Sequence, residues 1–537
     1  MVYKRKYKLP CGCESMPLYA HQIVGVYKAY DSIRDTGGFI LRDVQGFGKT
    51  LQAMLVGHCL SCSRQYDQDL VDGIRAPMLC GNMAGYMLVV CRSALSSVWE
   101  SEAEEHMEPW FGLDEGTYPY LRSLAGQPIY ERGNGEQMKR HIKESKIIVT
   151  SYELLGRSYN NNNSLDFDVL HNILSDTSNY GMNCFMVLDE SHAIGNPDAK
   201  CSKAVRELSR LPNVVGRMAL TGTMAPDKPD SVWAQFDFID HGKTFGNSYE
   251  SFLDCYTKSK TIRIGSGAKI RKTIGVRRPD QLRRLIAGSS LRRTYLPGLP
   301  PMRINPTVIY AQGKQRNDCL KILDKMRKVL KDSHNTKPFS LARFIRSNGT
   351  FSTLFTELAA TTAIAKTAYA KYQYLIARLG EQGGQAVIWV KHRDVGKDLA
   401  YVLSKKYKND SVLVMGGETK ENREKLLNQF KGGEKRFLIA GMDALREGNT
   451  FTNSAYAFYY ELDWYLLNWS QSLKRLHRIG QKHNVLIDVP LLDTSLDAYM
   501  YYEVIKRKQH TVDQIEGEED AKDYEPKSLM DYLNEVL

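Results

Sequence analysis

Four short stretches of this 537-residue chain carry residue types at spacings that chemistry uses. The first is Asp43-Val44-Gln45-Gly46-Phe47-Gly48-Lys49-Thr50, set between an apolar run, Gly38-Phe39-Ile40-Leu41, and apolar residues at helical spacing, Leu51, Met54, Leu55 and Cys59. A glycine-bearing turn between strand and helix lets backbone N–H groups approach phosphate oxygens, and the helix N-terminus adds its positive dipole end. In such a loop Lys49 neutralises β- and γ-phosphates and the Thr50 hydroxyl holds Mg²⁺. Gly46, Gly48 and Leu51 join them as nucleotide contacts. Asp43 stands where the usual pattern opens with glycine.

The second stretch is Phe185-Met186-Val187-Leu188 followed by Asp189-Glu190-Ser191-His192. Carboxylates at the carboxyl end of a buried parallel strand sit where α/β sheets bind ligands. Asp189 can hold Mg²⁺ through water, and Glu190 can take a proton from an attacking water. The third is Gln22, whose carboxamide offers the donor and acceptor together that an adenine edge requires. The fourth runs from Gln471 to Gln481 and carries Arg475 and Arg478, read as two guanidinium groups on one helix face. A guanidinium on γ-phosphate oxygens stabilises the charge that develops in phosphoryl transfer.

The elements that must position these residues alternate between apolar runs and helical patterns. Tyr86–Cys91, Ile147–Glu153, Phe185–Leu188 and Met218–Thr223 read as buried strands, with helices from Pro17, from Ser93 (Trp99 on its apolar face) and over 233–240. A second set follows, with strands at 385–390, 412–415, 436–440 and 455–460 and a helix opening at Asn422. This alternation predicts parallel α/β sheets. Between the two sets, alternation about Gly265-Ser266-Gly267 predicts a β-hairpin, and 314–332 and 353–379 read as helices.

Composition excludes a disordered or membrane-spanning chain: 42% of residues are hydrophobic, 25% are charged, and no run of 18 apolar residues occurs. The basic N-terminus lacks the apolar stretch of a secretory signal, and the ten scattered cysteines fit a reducing compartment, so an intracellular, cytoplasmic protein is expected. Cys11, Cys13, Cys59 and Cys62 offer four thiols, but their spacing fits no common zinc module, so free buried thiols are expected. The net charge of +12 is localised, with twelve Lys/Arg and one acidic residue between Lys258 and Arg293. A basic patch of this kind points to a polyanion, nucleic acid first.

Taken together, these motifs resemble the Swi/Snf family of superfamily 2 helicase-like DNA-dependent ATPases. Asp43–Thr50 is similar to that family's Asp-Glu-Met-Gly-Leu-Gly-Lys-Thr, with Val44 departing from its Glu. Asp189–His192 is similar to its Asp-Glu-Ala-His box, with Asn196 also in place, and Leu220-Thr221-Gly222-Thr223 to its coupling motif. Gln471–Gln481 is similar to its late arginine motif, with Lys474 replacing Asp. The motif before it is degraded to Asp443-Ala444-Leu445-Arg446-Glu447-Gly448, and Trp464 falls at a family Trp. The resemblance implies two tandem RecA-like parallel α/β domains with helical and β-hairpin insertions between them, ATP and Mg²⁺ as cofactors, and DNA as partner. It implies Gln471 at the nucleotide; Thr150, Ser151, Arg271, Lys272, Arg292, Arg293, His392 and Gly417 at DNA; and His192, Thr221, Thr223 and Gly448 in coupling. The expected divisions are a lead-in at 1–16, a first ATPase domain at 17–240, a basic insertion at 241–380, a second RecA-like domain at 381–513 and a tail at 514–537.

The expected activity is DNA-stimulated ATP hydrolysis that moves a monomer along duplex or branched DNA without sequence preference. The string around Trp464 is closest to the fork-remodelling branch, of phage or bacterial type. A strand-separating helicase on DNA or RNA, and a nucleic-acid-binding ATP switch with little turnover, are the alternatives.

Overall fold

The computed structural model describes residues 4–62, 84–111, 121–123, 140–141, 144–159, 165–176, 183–226, 228–263, 269–294, 298–332, 344–345, 348–364, 369–445, 449–517 and 527–537. Contacts group them into two compact units, 1–298 with 512–519, and 299–511 with 520–537. The stretch 241–380 is therefore divided between them. No helix among the described residues is long and apolar enough to cross a membrane.

The first unit is built on a seven-stranded sheet. Its strands are β1 (Gly38–Leu41), β2 (Tyr86–Cys91), β3 (Leu121–Ser123), β4 (Ile147–Ser151), β5 (Cys184–Leu188), β6 (Val214–Leu220) and β9 (Ser290–Leu291), in the order β3-β4-β2-β5-β6-β1-β9. Every pairing is parallel. Side chains alternate between two cores, as the two-residue repeat of a strand requires. Leu88, Val90, Met186 and Leu188 enter one core, and Met87, Val89, Phe185 and Val187 the other. Both faces are covered, which explains why these strands read as unbroken apolar runs. Helix α1 (Ala20–Thr36) precedes β1, and α2 (Lys49–Ser61) follows it. Ahead of β9 in the chain, β7 (Thr257–Arg263) and β8 (Lys269–Val276) pair antiparallel as the expected hairpin; its Gly-Ser-Gly turn lies outside the described residues.

The second unit holds a six-stranded parallel sheet, β10 (Met302–Ile309), β11 (Ala386–Val390), β12 (Ser411–Val414), β13 (Phe437–Gly441), β14 (Tyr456–Tyr459) and β15 (Val485–Leu492), in the order β10-β15-β14-β11-β13-β12. Strands β10 and β15 escape the apolar pattern because each contains proline and polar residues. Pro306 lies on the edge strand, and Pro490 pairs only with β10, beyond the last β14 partner, Asp488. Asp488 is fully buried and accepts from Arg378 Nε (2.6 Å), Tyr456 Oη (2.7 Å) and Asn305 Nδ2 (3.0 Å). The helix expected over 353–379 is two helices, Gly349–Ala363 and Ala370–Glu381. Ile364 closes the first in extended geometry (φ −69°, ψ 120°).

Candidate functional site

Strand order decides where the chemistry falls in the first unit. Strand β6 lies between β1 and β5, in register Leu41↔Leu220 and Ala219↔Leu188. The residues leaving the carboxyl ends of these strands are therefore neighbours: the loop 42–48 after β1, Thr221 after β6 and Asp189 after β5. Thr221 N–H donates to the Leu41 carbonyl (3.1 Å), and Asp189 N–H to that of Val90 (2.9 Å).

The loop is shaped by two glycines in the left-handed region, Gly46 (φ 91°) and Gly48 (φ 69°), and Gly48 is the N-cap of α2. Lys49 Nζ donates to the Asp43 carbonyl (2.8 Å) and reaches that of Val44 (3.4 Å), so its ammonium lies inside the loop. A Cβ on Gly48 would lie 2.4 Å from Gln22 Nε2, and one on Gly222 would lie 3.3 Å from Gln45 Cγ and 3.9 Å from Lys49 Nζ. Gln22 and the Thr221-Gly222-Thr223 tip thus close on the loop from two sides. Gln22 Oε1 accepts the Tyr19 N–H at 3.0 Å. Thr50 and Leu51 stand in the first turn of α2.

Asp189 is held on every side. Trp99 Nε1–H donates to Oδ2 (2.9 Å), Glu190 N–H donates to Oδ1 (2.9 Å), and the Tyr152 hydroxyl donates to its backbone carbonyl (2.9 Å). Burial pushes its carboxyl up to about 6 and Glu190 adds repulsion, while the Trp99 N–H and Lys49 pull the other way. Glu190 has left-handed backbone (φ 49°, ψ 53°), rare for a residue with a Cβ and typical of sites under functional constraint. Its carboxylate meets Gln45 Nε2 at 3.4 Å and His192 Nδ1 at 3.3 Å. His192 Nδ1 lies 3.5 Å from Thr221 Oγ1, which accepts the Thr223 N–H (3.2 Å) and donates to the Thr223 carbonyl (2.8 Å). One polar chain therefore links Glu190 to His192, Thr221 and Thr223.

The aspartate at the glycine position has a structural reason. Asp43 is fully buried and takes two bonds from Arg293 Nε (3.0 and 3.2 Å) and another from its Nη2. Arg293 also donates to Gln52 Oε1 at 3.0 Å. Arg293 arrives there because β9 extends the sheet beside β1, with Arg42 N–H on the Leu291 carbonyl (2.7 Å) and Val44 N–H on that of Arg293 (3.2 Å). Next to it Arg42 and Arg292 converge on Glu516, which is buried and also accepts the Met224 N–H at 3.2 Å. Sequence reasoning missed Trp99 as a partner of Asp189, and missed Glu516. The available signal was Asp43 itself, since a buried carboxylate demands a cation.

Several expected DNA contacts are placed in other roles. Arg292 and Arg293 point inward to Glu516 and Asp43. Thr150 is buried, and Ser151 is a helix N-cap whose Oγ accepts the Leu154 N–H at 3.1 Å. Arg271 is engaged by Asp254 (2.6 Å), Glu250 (3.5 Å) and Ser259 Oγ (2.9 Å). Lys272 lies on β8. The exposed cations of the basic stretch include Arg277, Arg278 and Arg284.

In the second unit α3 (Arg393–Lys406) follows β11, α4 (Lys420–Lys431) follows β12, and α5 (Leu466–Leu476), which follows β14, carries both Gln471 and Arg475.

 Gln471 is buried, and its Oε1 has no hydrogen-bond partner among the described residues. Arg475 is buried and donates from Nη1 to the Asn449 carbonyl at 2.9 Å. The expectation that Arg475 and Arg478 share one helix face is corrected: α5 ends at Leu476, His477 leaves helical geometry (φ −94°, ψ 82°), and Arg478 follows the break. The break is anchored by His477 Nε2 at the Pro300 carbonyl (2.7 Å) and by the left-handed Gly480 (φ 99°). His392 Nδ1 lies 2.7 Å from Glu461 Oε1, and Lys391 Nζ lies 2.7 Å from Asp463 Oδ1. Gly417 is left-handed (φ 95°) beside Arg393, and Gly448 lies outside the described residues.

The chain is similar to known proteins along most of its length. The family described as SNF2-related domain matches residues 21–296, and that described as Helicase conserved C-terminal domain matches 370–480. The SWI/SNF-related matrix-associated actin-dependent regulator of chromatin subfamily A-like protein 1 of Drosophila melanogaster is 22% identical over 494 residues, covering 90% of this chain and 54% of its own length. The DNA annealing helicase and endonuclease ZRANB3 of Bos taurus is 24% identical over 493 residues, covering 90% and 40%. This chain therefore spans about half the length, or less, of these curated relatives. The Sulfolobus solfataricus SWI2/SNF2 ATPase core, solved in complex with dsDNA, aligns at 18% identity over 96% of this chain and 95% of that one, with a TM-score of 0.38. With its first half matched from Gln-bearing α1 to the β9 arginines and its second half matched through the late arginine motif, the chain belongs to the SNF2-related family.

Proposed function

We propose that this chain hydrolyses ATP in a DNA-stimulated cycle and uses it to translocate along duplex or branched DNA. The observation that carries the reading is the cluster at the carboxyl edge of the first sheet, where the glycine loop with Lys49, the Asp189–Glu190 pair and the Thr221–Thr223 tip are mutual neighbours. The residues present fit a magnesium nucleotide. The loop offers backbone N–H groups at a helix N-terminus, Lys49 sits inside it, and two donors already orient the Asp189 carboxylate.

In this reading Gly46, Gly48, Lys49, Thr50 and Leu51 hold the phosphates, and Gln22 and Gln471 take nucleotide contacts. Thr50 and Asp189 hold Mg²⁺, which when bound offsets the phosphate charge. Glu190 accepts the proton of the attacking water. Its left-handed backbone and its contacts to Gln45 and His192 fix the carboxylate in place. His192, Thr221 and Thr223 relay the state of that carboxylate along the sheet edge. Arg475 and Arg478, carried by the second unit, are the guanidinium groups that this reading assigns to the transferring charge.

DNA is the polyanion this reading assigns to the basic stretch. Arg277, Arg278 and Arg284 are better candidates there than Arg292 and Arg293, because they are exposed. In the second unit His392 and Gly417 remain candidates.

The test is an ATPase titration of the full chain against single-stranded, duplex and forked DNA and against RNA, beside Lys49→Ala. Duplex or forked DNA is expected to raise turnover, and the variant to lose it while still binding DNA. Triplex displacement without strand separation marks a duplex translocase, whereas separation of a forked substrate marks a helicase. Nucleotide binding with no stimulated turnover would leave an ATP switch and end the translocase reading.

A further inference from the structure

We propose that Cys11, Cys13, His58 and Cys62 form a structural zinc site that fastens the N-terminal hairpin to the far end of α2. The ligand atoms of these four residues, three thiol sulfurs and one imidazole nitrogen, all lie within 4.8 Å of one another. They come from two local structures that each suit a pair of ligands. Residues 5–18 form a small antiparallel hairpin, with bridges Arg5↔Leu18 and Lys8↔Glu14 and with Leu9 N–H on the Cys13 carbonyl at 2.8 Å. Its tip turns at Gly12, which is left-handed (φ 84°) and whose N–H donates to the Leu9 carbonyl at 2.8 Å. A residue with a Cβ adopts that conformation only at a cost, so the glycine lets Cys11 and Cys13 flank a tight turn. The second pair, His58 and Cys62, is four residues apart across the last turn of α2 and its C-cap, a spacing that puts two side chains on one helix face.

The distances suit a metal and not a disulfide. Cys13 Sγ and Cys62 Sγ are 3.6 Å apart. A disulfide holds its sulfurs at about 2.0 Å, whereas zinc–sulfur bonds of about 2.3 Å put two tetrahedral ligands about 3.8 Å apart. Three thiolates and an imidazole form a closed four-ligand set of a kind used by structural zinc, with no position left for substrate or water. The set departs from the one the cysteine spacing offers. Cys59 is buried beside Cys11, but the cluster takes His58 in its place. The spacing Cys-x-Cys, then 44 residues, then His-x₃-Cys matches no common module because the two halves are brought together by the fold and not by one loop. The helix fastened here is the one whose first turn carries Lys49 and Thr50.

The experiment is metal analysis of the full chain, purified untagged, under reducing conditions and without chelators. About one zinc per chain is expected. Cys11→Ser with Cys13→Ser, and separately His58→Ala, are expected to lose it, and Cys59→Ser to keep it. Cobalt exchange into the unmutated chain gives a readout that does not depend on a variant folding: the strong visible bands of tetrahedral cobalt, with thiolate-to-metal charge transfer, are expected. Zinc-free protein that gives no such spectrum would overturn the proposal. A Cys13–Cys62 disulfide would also overturn it, as would zinc retained by His58→Ala and lost by Cys59→Ser.

Discussion

Beside the phosphate loop of the first unit charged groups are drawn inward: Asp43 meets Arg293, and Glu516, 1% exposed, meets Arg42 and Arg292, 7% and 13% exposed. Where β11 and β14 end in the second unit, two buried acids hold partners that reach further into solvent. Glu461 and Asp463 have side chains 7% and 2% exposed, whereas His392 and Lys391, bonded to them, are 29% and 22% exposed. Glu461 is anchored further by the N–H groups of Lys391 (2.9 Å) and His392 (3.0 Å). A pair buried at both ends shapes its surroundings and offers no charge outward. A side chain seated on a buried carboxylate keeps a fixed position and still reaches solvent. The same residue types therefore act as fasteners beside the phosphate loop and as presented groups at Glu461 and Asp463, and exposure, not identity, separates the two uses.

That contrast is broken most severely at the late arginines. Arg478 stands past the helix break, while Arg475 is buried and bonded to the Asn449 carbonyl. Arg478→Ala is expected to lower DNA-stimulated turnover by roughly 10³-fold, as for loss of an arginine finger, with little change in melting temperature. Arg475→Ala is expected to lower both, because its guanidinium also holds the Asn449 carbonyl. Turnover and thermal melts of the two variants side by side check this; equal effects on melting would remove the distinction.

The buried pairs of the first unit come next. Asp43→Gly restores the usual loop residue but leaves Arg293 without its carboxylate. Removing one partner of a buried pair costs about 3–5 kcal/mol, so the variant should be less stable despite matching the common pattern better. Arg293→Met in the same background should recover much of that loss. Denaturant unfolding of the two single variants and the double variant measures the coupling. Additive losses would mean that the pair contributes nothing as a pair.

How far the sequence could be read follows from the same division. The loop 43–50, the Asp189–Glu190 pair and the buried strands were legible because each is one contiguous segment whose pattern is set by its own backbone. The parallel α/β class followed from their alternation. Illegible were features made by distant residues: Arg293 meeting Asp43 across a gap of 250 positions, Glu516 returning to Arg42, and Trp99 reaching Asp189. Strand β15 was missed because Asp488 and Pro490 break its apolar run, although Asp488 is satisfied by three partners and Pro490 lies past the β14 ladder. The shared face of Arg475 and Arg478 was inferred from spacing alone, and spacing does not reveal where a helix stops.

Trp99 gives a smaller and more specific test. Its apolar body would fit any core, but its Nε1–H donates to Asp189 Oδ2. Trp99→Phe keeps most of the packing and removes the donor. A hydrogen bond to a charged group contributes about 1.5–3 kcal/mol. The loss raises the Asp189 carboxyl further, because the donor favours its charged form. Affinity for magnesium nucleotide should fall roughly tenfold or more, and nucleotide binding without magnesium should change little. Titrations with and without the metal check it, and an equal loss in both would assign Trp99 to packing alone.

The smallest expected effect decides between two uses of Ser151. Its Oγ accepts the Leu154 N–H and caps the helix Tyr152–Ser158, and the residue is almost wholly buried. A hydroxyl buried in this way and fixed at the helix start is held away from a phosphate unless that start unwinds. Ser151→Ala should therefore cost about 1 kcal/mol of stability, the usual loss for an N-cap, and leave DNA affinity and its salt dependence unchanged. Ser151→Asp keeps a capping oxygen and should restore stability, although it brings a negative charge to a place where a DNA contact would be repelled. If the aspartate variant is stable and still binds DNA as the unmutated chain does, Ser151 is a cap. If it is stable and binds DNA much more weakly, the hydroxyl faces the polyanion during the cycle, and the buried side of this comparison includes a residue that does not stay buried.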